Sequence, residues 1–325
     1  MKPRRCRTYL REAITVDRSI IDAESAPAAW QNDLSYALLL AGDVLTELNN
    51  SSEALQDYKD SLAIRERLAK VQPDNSDRQR DLAVSLEKVG YALVDEEDET
   101  TALEKQRVAL AIRESLVGRD PKNADWQQGL AASYQNIGRI LADQGDLTAA
   151  LASYQSCTRI REKLAADDPS NGLTRRYLAI ADEEIGDILL LKGDTVGGLE
   201  KLRLAVARFR TLATKNPENL LLRGDLGGAL KELGDAERLN NEFESGLINL
   251  NEALSIFGPL TKKDPNNLFW QYLTALTQRN LGVLTASQKR WAEATRLEEV
   301  AEETLLNLLT ARSLLGFLYP GPGYL

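Results

Sequence analysis

The side chain that proteins most often use to move a proton or hold a metal is missing, because the chain contains no histidine. The two cysteines, Cys6 and Cys157, lack the spacing of a redox pair or a zinc site. Cys6 stands beside Arg4, Arg5 and Arg7, a setting that activates a thiol, but no second catalytic residue type accompanies it. The sequence holds no GxxxxGK[ST] phosphate loop, no GxSxG nucleophile elbow and no DxDxDG calcium loop. The acidic run Asp95-Glu96-Glu97-Asp98 has the charge to hold a cation, yet it falls in a turn between two helices, where such residues cap and solvate. Catalysis, cofactors and metals are therefore expected to be absent.

The balance of 40 basic against 49 acidic residues leaves a net charge of −9. That disfavours the basic surface that phosphate neutralisation requires, and so a nucleic-acid role. The basic N-terminus is not followed by the run of about 7 to 15 apolar residues of an export signal. The most apolar stretch, residues 305–319, is interrupted by Asn307, Thr310, Arg312 and Ser313, and is shorter than the roughly 18 residues of a membrane span. A cytoplasmic protein is expected.

What positions the remaining polar residues is a strict repeat. Glycines recur every 48 residues at Gly42, Gly90, Gly138, Gly186, Gly234 and Gly282, and prolines keep the same step at Pro73, Pro121, Pro169, Pro217 and Pro265. Each proline is followed two residues later by an asparagine, suited to cap the next helix. Around each glycine, apolar residues fall at helical spacing, as at Leu130, Ile137 and Leu141, and define a first helix, A. Gly or Asn followed by Asp or Asn, as at Gly145-Asp146, closes helix A and opens a second helix, B. Twelve residues past each glycine stands Ala54, Ala102, Ala150, Gly198, Gly246 or Ala294, small enough to let the two backbones approach. A period of this size predicts six stacked copies of one helical hairpin.

The run ASYQNIGRILADQGDLTAALASYQSCTRI, residues 132–160, resembles the tetratricopeptide repeat, with Gly138, Gly145, Asp146, Ala150, Tyr154 and Cys157 at that family's glycine, turn, small and aromatic positions. The unit is longer than the family's common one, and in this it is similar to repeats of bacterial signalling proteins and kinesin light chains. The resemblance implies an all-α fold, an α-solenoid forming a right-handed superhelix with an extra N-terminal helix. The expected boundaries are a capping helix over 1–24, six repeats over 25–316 and a tail over 317–325. The incomplete first unit fits either a cap or a longer parent protein. The tail, with Pro320 and Pro322, fits either a cover for the open end or an apolar hook.

In the resembled family helix A lines an inner groove, and its stripe maps here onto Tyr36, Leu39, Asp43 and Glu47 in the first repeat and Glu87, Tyr91 and Asp95 in the second. Gln135, Arg139 and Asp143 follow in the third, Glu183 and Asp187 in the fourth, Lys231 and Arg238 in the fifth, and Arg279 in the sixth. The expected role is a non-catalytic scaffold or adaptor for a protein or peptide with basic and apolar residues, the stripe turning basic in its last two repeats. The alternatives are a regulatory or sensor segment of a larger signalling protein and a scaffold that self-associates through its open ends. Arg65-Glu66, Arg113-Glu114 and Arg161-Glu162 are expected to form a solvated face. Trp30, Trp126 and Trp270 are expected half-exposed, Trp291 in the core, and Gly258-Pro259 as a kink or early stop in helix B.

Overall fold

The computed structural model describes residues 27–48 and 50–315, with side chains as far as residue 310. Among these residues there are twelve α-helices and no strand. The A helices are α1 (Ala28–Glu47), α3 (Ser76–Asp95), α5 (Ala124–Asp143), α7 (Gly172–Leu191), α9 (Leu220–Leu239) and α11 (Leu268–Ser287). The B helices are α2 (Ser51–Val71), α4 (Glu99–Arg119), α6 (Leu147–Asp167), α8 (Thr195–Lys215), α10 (Phe243–Lys263) and α12 (Trp291–Leu315). The first residues of all six A helices are 48 apart, in step with the glycines. The N-terminal helix expected over 1–24 and the tail over 317–325 lie outside the described residues.

Local chemistry sets these boundaries. At the start of α3, α5, α7, α9 and α11 the side chain of Asn75, Asn123, Asn171, Asn219 or Asn267 accepts backbone N–H groups of the first turn. These N–H groups have no partner inside the helix, so the cap satisfies donors that would otherwise be orphaned. Preceding each cap, the proline occupies a tight turn closed by a bond such as Asn171 N–H to Asp168 C=O, 3.2 Å. At the A-to-B junction the chain passes through the left-handed region at Glu97, Gly145, Gly193, Asn241 and Lys289, with φ between 62° and 84°. The next residue returns its N–H five positions back, as Asp146 does to Leu141 at 2.9 Å, so the helix ends in a Schellman closure.

The glycines work against a side chain the 12-residue spacing did not indicate. A Cβ on Gly42 would lie 2.4 Å from the ring of Tyr58, one on Gly138 would lie 3.0 Å from Tyr154, and one on Gly186 would lie 2.9 Å from Leu202, each of these partners sixteen residues on. In repeats four and five the same Cβ would also meet the backbone oxygen of Gly198 or Gly246 at 3.2 Å, the close approach the small residues permit. Each glycine is a socket for a large residue of helix B. The hairpins are antiparallel, since Asp43 late in α1 meets Tyr58 early in α2 while Ser35 early in α1 meets Ser61 further along α2.

Two compact units divide the chain, one ending at Ile160 and the other beginning at Arg161. Within each, the B helix of one hairpin packs on the A helix of the next, the α-solenoid arrangement. The second unit buries a continuous core through Leu202, Phe209, Leu226, Leu230, Leu233, Phe257 and Trp270. Cys157, in the slot of Ala109, Ala205 and Ala253, is wholly buried as its repeat position predicts.

Four expectations need correction. Trp291 is 64% exposed rather than core, because it is the first residue of α12 and projects at the turn. Trp270 is buried, Trp126 half-buried and Trp30 exposed, so a shared repeat position does not give a shared environment. Of the kink or early stop expected at Gly258-Pro259, the stop does not occur, since α10 continues through Pro259 to Lys263. Arg65, Arg113 and Arg161 are buried, not solvated.

Candidate functional site

The buried arginines determine which stripe residues remain available. In the first unit Arg113 of α4 forms a two-pronged bond to Glu87 of α3, with Nε and Nη2 each 2.7 Å from a carboxylate oxygen, and Ser133 of α5 donates to the same carboxylate at 2.6 Å. Arg65 does similar work one repeat earlier, donating to Ser35 Oγ at 3.1 Å and to the Asp81 carbonyl at 2.8 Å. Burial lowers the pKa of this guanidinium, and Asp81 opposes that shift. In the second unit Arg161 donates to the Tyr177 carbonyl at 2.9 Å and lies 5.1 Å over the Tyr177 ring. Arg65 and Arg161 tie a B helix to the following A helix, whereas Arg113 holds the A helix of its own hairpin, whose Glu87 in turn takes Ser133 of the next. A signal for this was present in the sequence, since Phe209 and Phe257 fill the same repeat slot and are themselves buried.

Leu39 and Glu87, both placed on the stripe by resemblance, therefore sit inside the first unit, Leu39 as core and Glu87 as the anchor of Arg113. The accessible part of that stripe is built differently. Tyr36 is 58% exposed, and Glu47, Asp95 and Asp143 are exposed. Asp43 accepts from the Tyr58 hydroxyl and from Lys88 Nζ, each at 2.7 Å. Tyr91 donates its hydroxyl to Asn136, and the Arg139 guanidinium stacks 5.2 Å above its ring. Partial burial raises the pKa of Asp95 and of Asp143, and Arg139 pulls both back down, so the arginine faces two carboxylates. Gln135 is half-buried beside them in sequence. Lys88 and Asn136, which the spacing did not single out, complete this row.

In the second unit Glu183 and Asp187 stand one turn apart on α7. Burial, then the nearby charges of Glu232 and Glu184, push Asp187 up to about 8, with Lys231 opposing. Glu183 is raised well above the ordinary glutamate value, first by burial and then by Asp187, Glu232, Glu184 and Asp225. The cations expected here are already engaged. Lys231 is buried with its Nζ 2.9 Å from Glu232, and Arg238 contacts Asp235 at 2.8 and 3.0 Å. Asp225 is held by Arg176 at 2.6 and 3.0 Å. Arg279, on α11, is exposed. The expected basic section is thus largely neutralised by its own neighbours, and the α7–α9 face is dominated by carboxylates, with Ile180 and Leu190 half-buried and Leu191 exposed. Such a face can take up a cation and an apolar group together.

Among the described residues no group of three metal-capable Asp, Glu or Cys side chains converges on one point, and no helix is long and apolar enough to cross a membrane.

The sequence model of the tetratricopeptide repeat matches residues 35–77 and 130–170, from α1 into α3 and from α5 through α6. No curated protein matches the chain. Among solved structures, BtubC (BKLC) from P. vanneervenii is 15% identical, aligns over 83% of this chain and 94% of its own, and has a TM-score of 0.56. The apo form of RapI is 12% identical over 85% of this chain and 99% of its own, with a TM-score of 0.54. A Signal Transduction ATPase with Numerous Domains protein with a tetratricopeptide repeat sensor, from Pyrococcus horikoshii, gives a TM-score of 0.60 at 12% identity, over 94% of this chain but only 40% of that one. At these identities the likeness establishes the fold alone.

Proposed function

Because the chain is a tetratricopeptide-repeat protein, we propose that it acts as a non-catalytic scaffold or adaptor in the cytoplasm, holding a protein or peptide partner against its A helices. Tetratricopeptide repeats generally mediate protein–protein interaction, and proteins of this kind are generally scaffolds without catalysis. The observation that carries the finer reading is the carboxylate-rich face of α7 and α9. Besides burial, Asp187 and Glu232 raise the pKa of Glu183 and Glu232 raises that of Asp187, where Lys231 is the opposing cation. A partner segment bearing lysine or arginine next to leucine-like residues would relieve that repulsion while covering Leu191.

The test uses the full chain and two fluorescent peptides matched in length, one with Lys, Arg and Leu, the other with Glu and Leu. Preferential binding of the basic peptide, weakened at least tenfold in Glu183→Lys/Asp187→Lys, is expected. Equal binding of both peptides, or an unaffected variant, would refute the assignment of this face. A second reading, a regulatory or sensor segment in a larger signalling assembly, draws on the likeness to the sensor of the Pyrococcus horikoshii ATPase. Co-purification of the native chain with a nucleotide-hydrolysing protein would support it, and recovery of the chain without one would count against it.

A further inference from the structure

The A-to-B turns of the second unit carry apolar side chains that their counterparts in the first unit lack. Leu191 and Leu239 end α7 and α9, Val196 is the second residue of α8, Phe243 and Trp291 begin α10 and α12, and Ile248 lies in the second turn of α10. Their exposures are 67, 72, 72, 39, 64 and 67% respectively for Leu191, Leu239, Val196, Phe243, Trp291 and Ile248. At the equivalent positions the first unit has Glu47, Asp95, Ser52, Glu99 and Ser51, and Leu147 there is half-buried. Successive hairpins in the second unit are packed side by side. Arg203 of α8 reaches Glu242 in the α9–α10 turn at 2.6 Å, and a Cβ on Gly246 of α10 would lie 3.2 Å from Leu284 of α11. The six side chains lie near the turn ends of three successive packed hairpins and together expose on the order of 700 Å² of apolar surface, close to one side of a standard protein interface.

Charge says what covers it. At the repeat-four end, residues 191–200 hold Asp194 and Glu200 against Lys192, while at the repeat-six end, residues 287–296 hold Lys289, Arg290 and Arg296 against Glu293. Phe243, in repeat five, lies between them. A two-fold axis near Phe243 would lay the acidic end of one ridge on the basic end of another and bury both apolar rows. We propose that two copies of this chain associate antiparallel through the turn edge of repeats four to six. Leu191 alone is shared with the A-helix face; the other five side chains lie outside it, so the inference stands without the reading of that face.

The experiment is sedimentation velocity and light scattering of the full chain over a range of concentrations. The native chain is expected at twice the chain mass in the tens of micromolar. Leu239→Asp/Trp291→Ser should halve that mass with an unchanged helical spectrum and melting curve. Ile248→Ser serves as a milder variant should the double change disturb folding. Glu200→Lys and Lys289→Glu should each raise the dissociation constant at least tenfold, and their combination should return it to within about threefold of the native value. Lys289 has the same left-handed backbone as Glu97, so the exchange is tolerated locally. A native chain that stays monomeric, a dimer indifferent to the ridge substitutions, or charge exchanges that fail to restore association would overturn the proposal.

Discussion

Glu87 and Arg113 offer the sharpest test of how the first unit is held together. The glutamate accepts three bonds of 2.6 to 2.7 Å, two from Arg113 and one from Ser133, and the paired side chains are only 9 and 10% exposed. Glu87→Leu strands a buried guanidinium and Arg113→Met strands a buried carboxylate. Each single change should cost about 3 to 5 kcal/mol. The double variant removes both charges and leaves apolar groups of similar size, as Leu39 already does at the glutamate's position one repeat earlier. It should fall within about 1 kcal/mol of the native chain or exceed it, giving a coupling energy of at least about 5 kcal/mol. Because repeat arrays can open in parts, the assay is native-state hydrogen exchange on amides of α3, α4 and α5, supported by urea titration. A Glu87→Leu chain whose local opening energy matches the native one, or a double variant that loses the sum of both singles, would refute the view that this pair helps hold α3, α4 and α5 together.

Asp187 reverses the usual acid sensitivity. Its folded pKa, about 8, lies above the ordinary 3.8, so between those values the folded state holds a proton that the unfolded chain releases. Stability should therefore fall as pH rises through that window, by at most about 1.4 kcal/mol per pH unit from this group. Melting temperatures at pH 5 and 8 should show the drop, and Asp187→Asn should flatten it; an unaltered pH slope in that variant would be the contrary result. Gly138→Leu pushes a side chain toward Tyr154, whose ring is already 3.0 Å from a Cβ there, and should cost about 1 to 3 kcal/mol by thermal melting. Gln106 is wholly buried with its Oε1 lacking a hydrogen-bond donor, in the slot that Leu202 and Leu250 fill elsewhere. Gln106→Leu should stabilise the first unit by about 1 to 2 kcal/mol, read as a higher urea midpoint.

Helix number, boundaries and turn chemistry were legible in the sequence because each depends on residues within a few positions of one another. Asn171 caps the helix that follows it, Pro169 closes the turn beside it, and Gly145 takes the left-handed backbone where the spacing put a turn. A 48-residue echo repeats that local information six times, and Leu68, Leu116, Leu164, Leu212 and Leu260 are buried as it predicts, while Leu308 in the sixth copy is only half-buried.

What only the tertiary structure decided is the fate of the charged and aromatic side chains. Arg113 beside Glu114 is indistinguishable in sequence from a solvated pair; it is buried because Glu87, brought from another helix and itself held by Ser133, supplies bonds that water would have given. Lys231 and Arg238 were legible as cations, but not that Glu232 and Asp235 would neutralise them. Trp270 and Trp291 differ in burial because one meets a neighbouring hairpin and the other projects from a turn. Apolar periodicity reports which face of a helix avoids water, a property of the helix alone. Whether a charge is paired or a ring covered depends on groups arriving from distant parts of the chain, and no spacing along one helix encodes that.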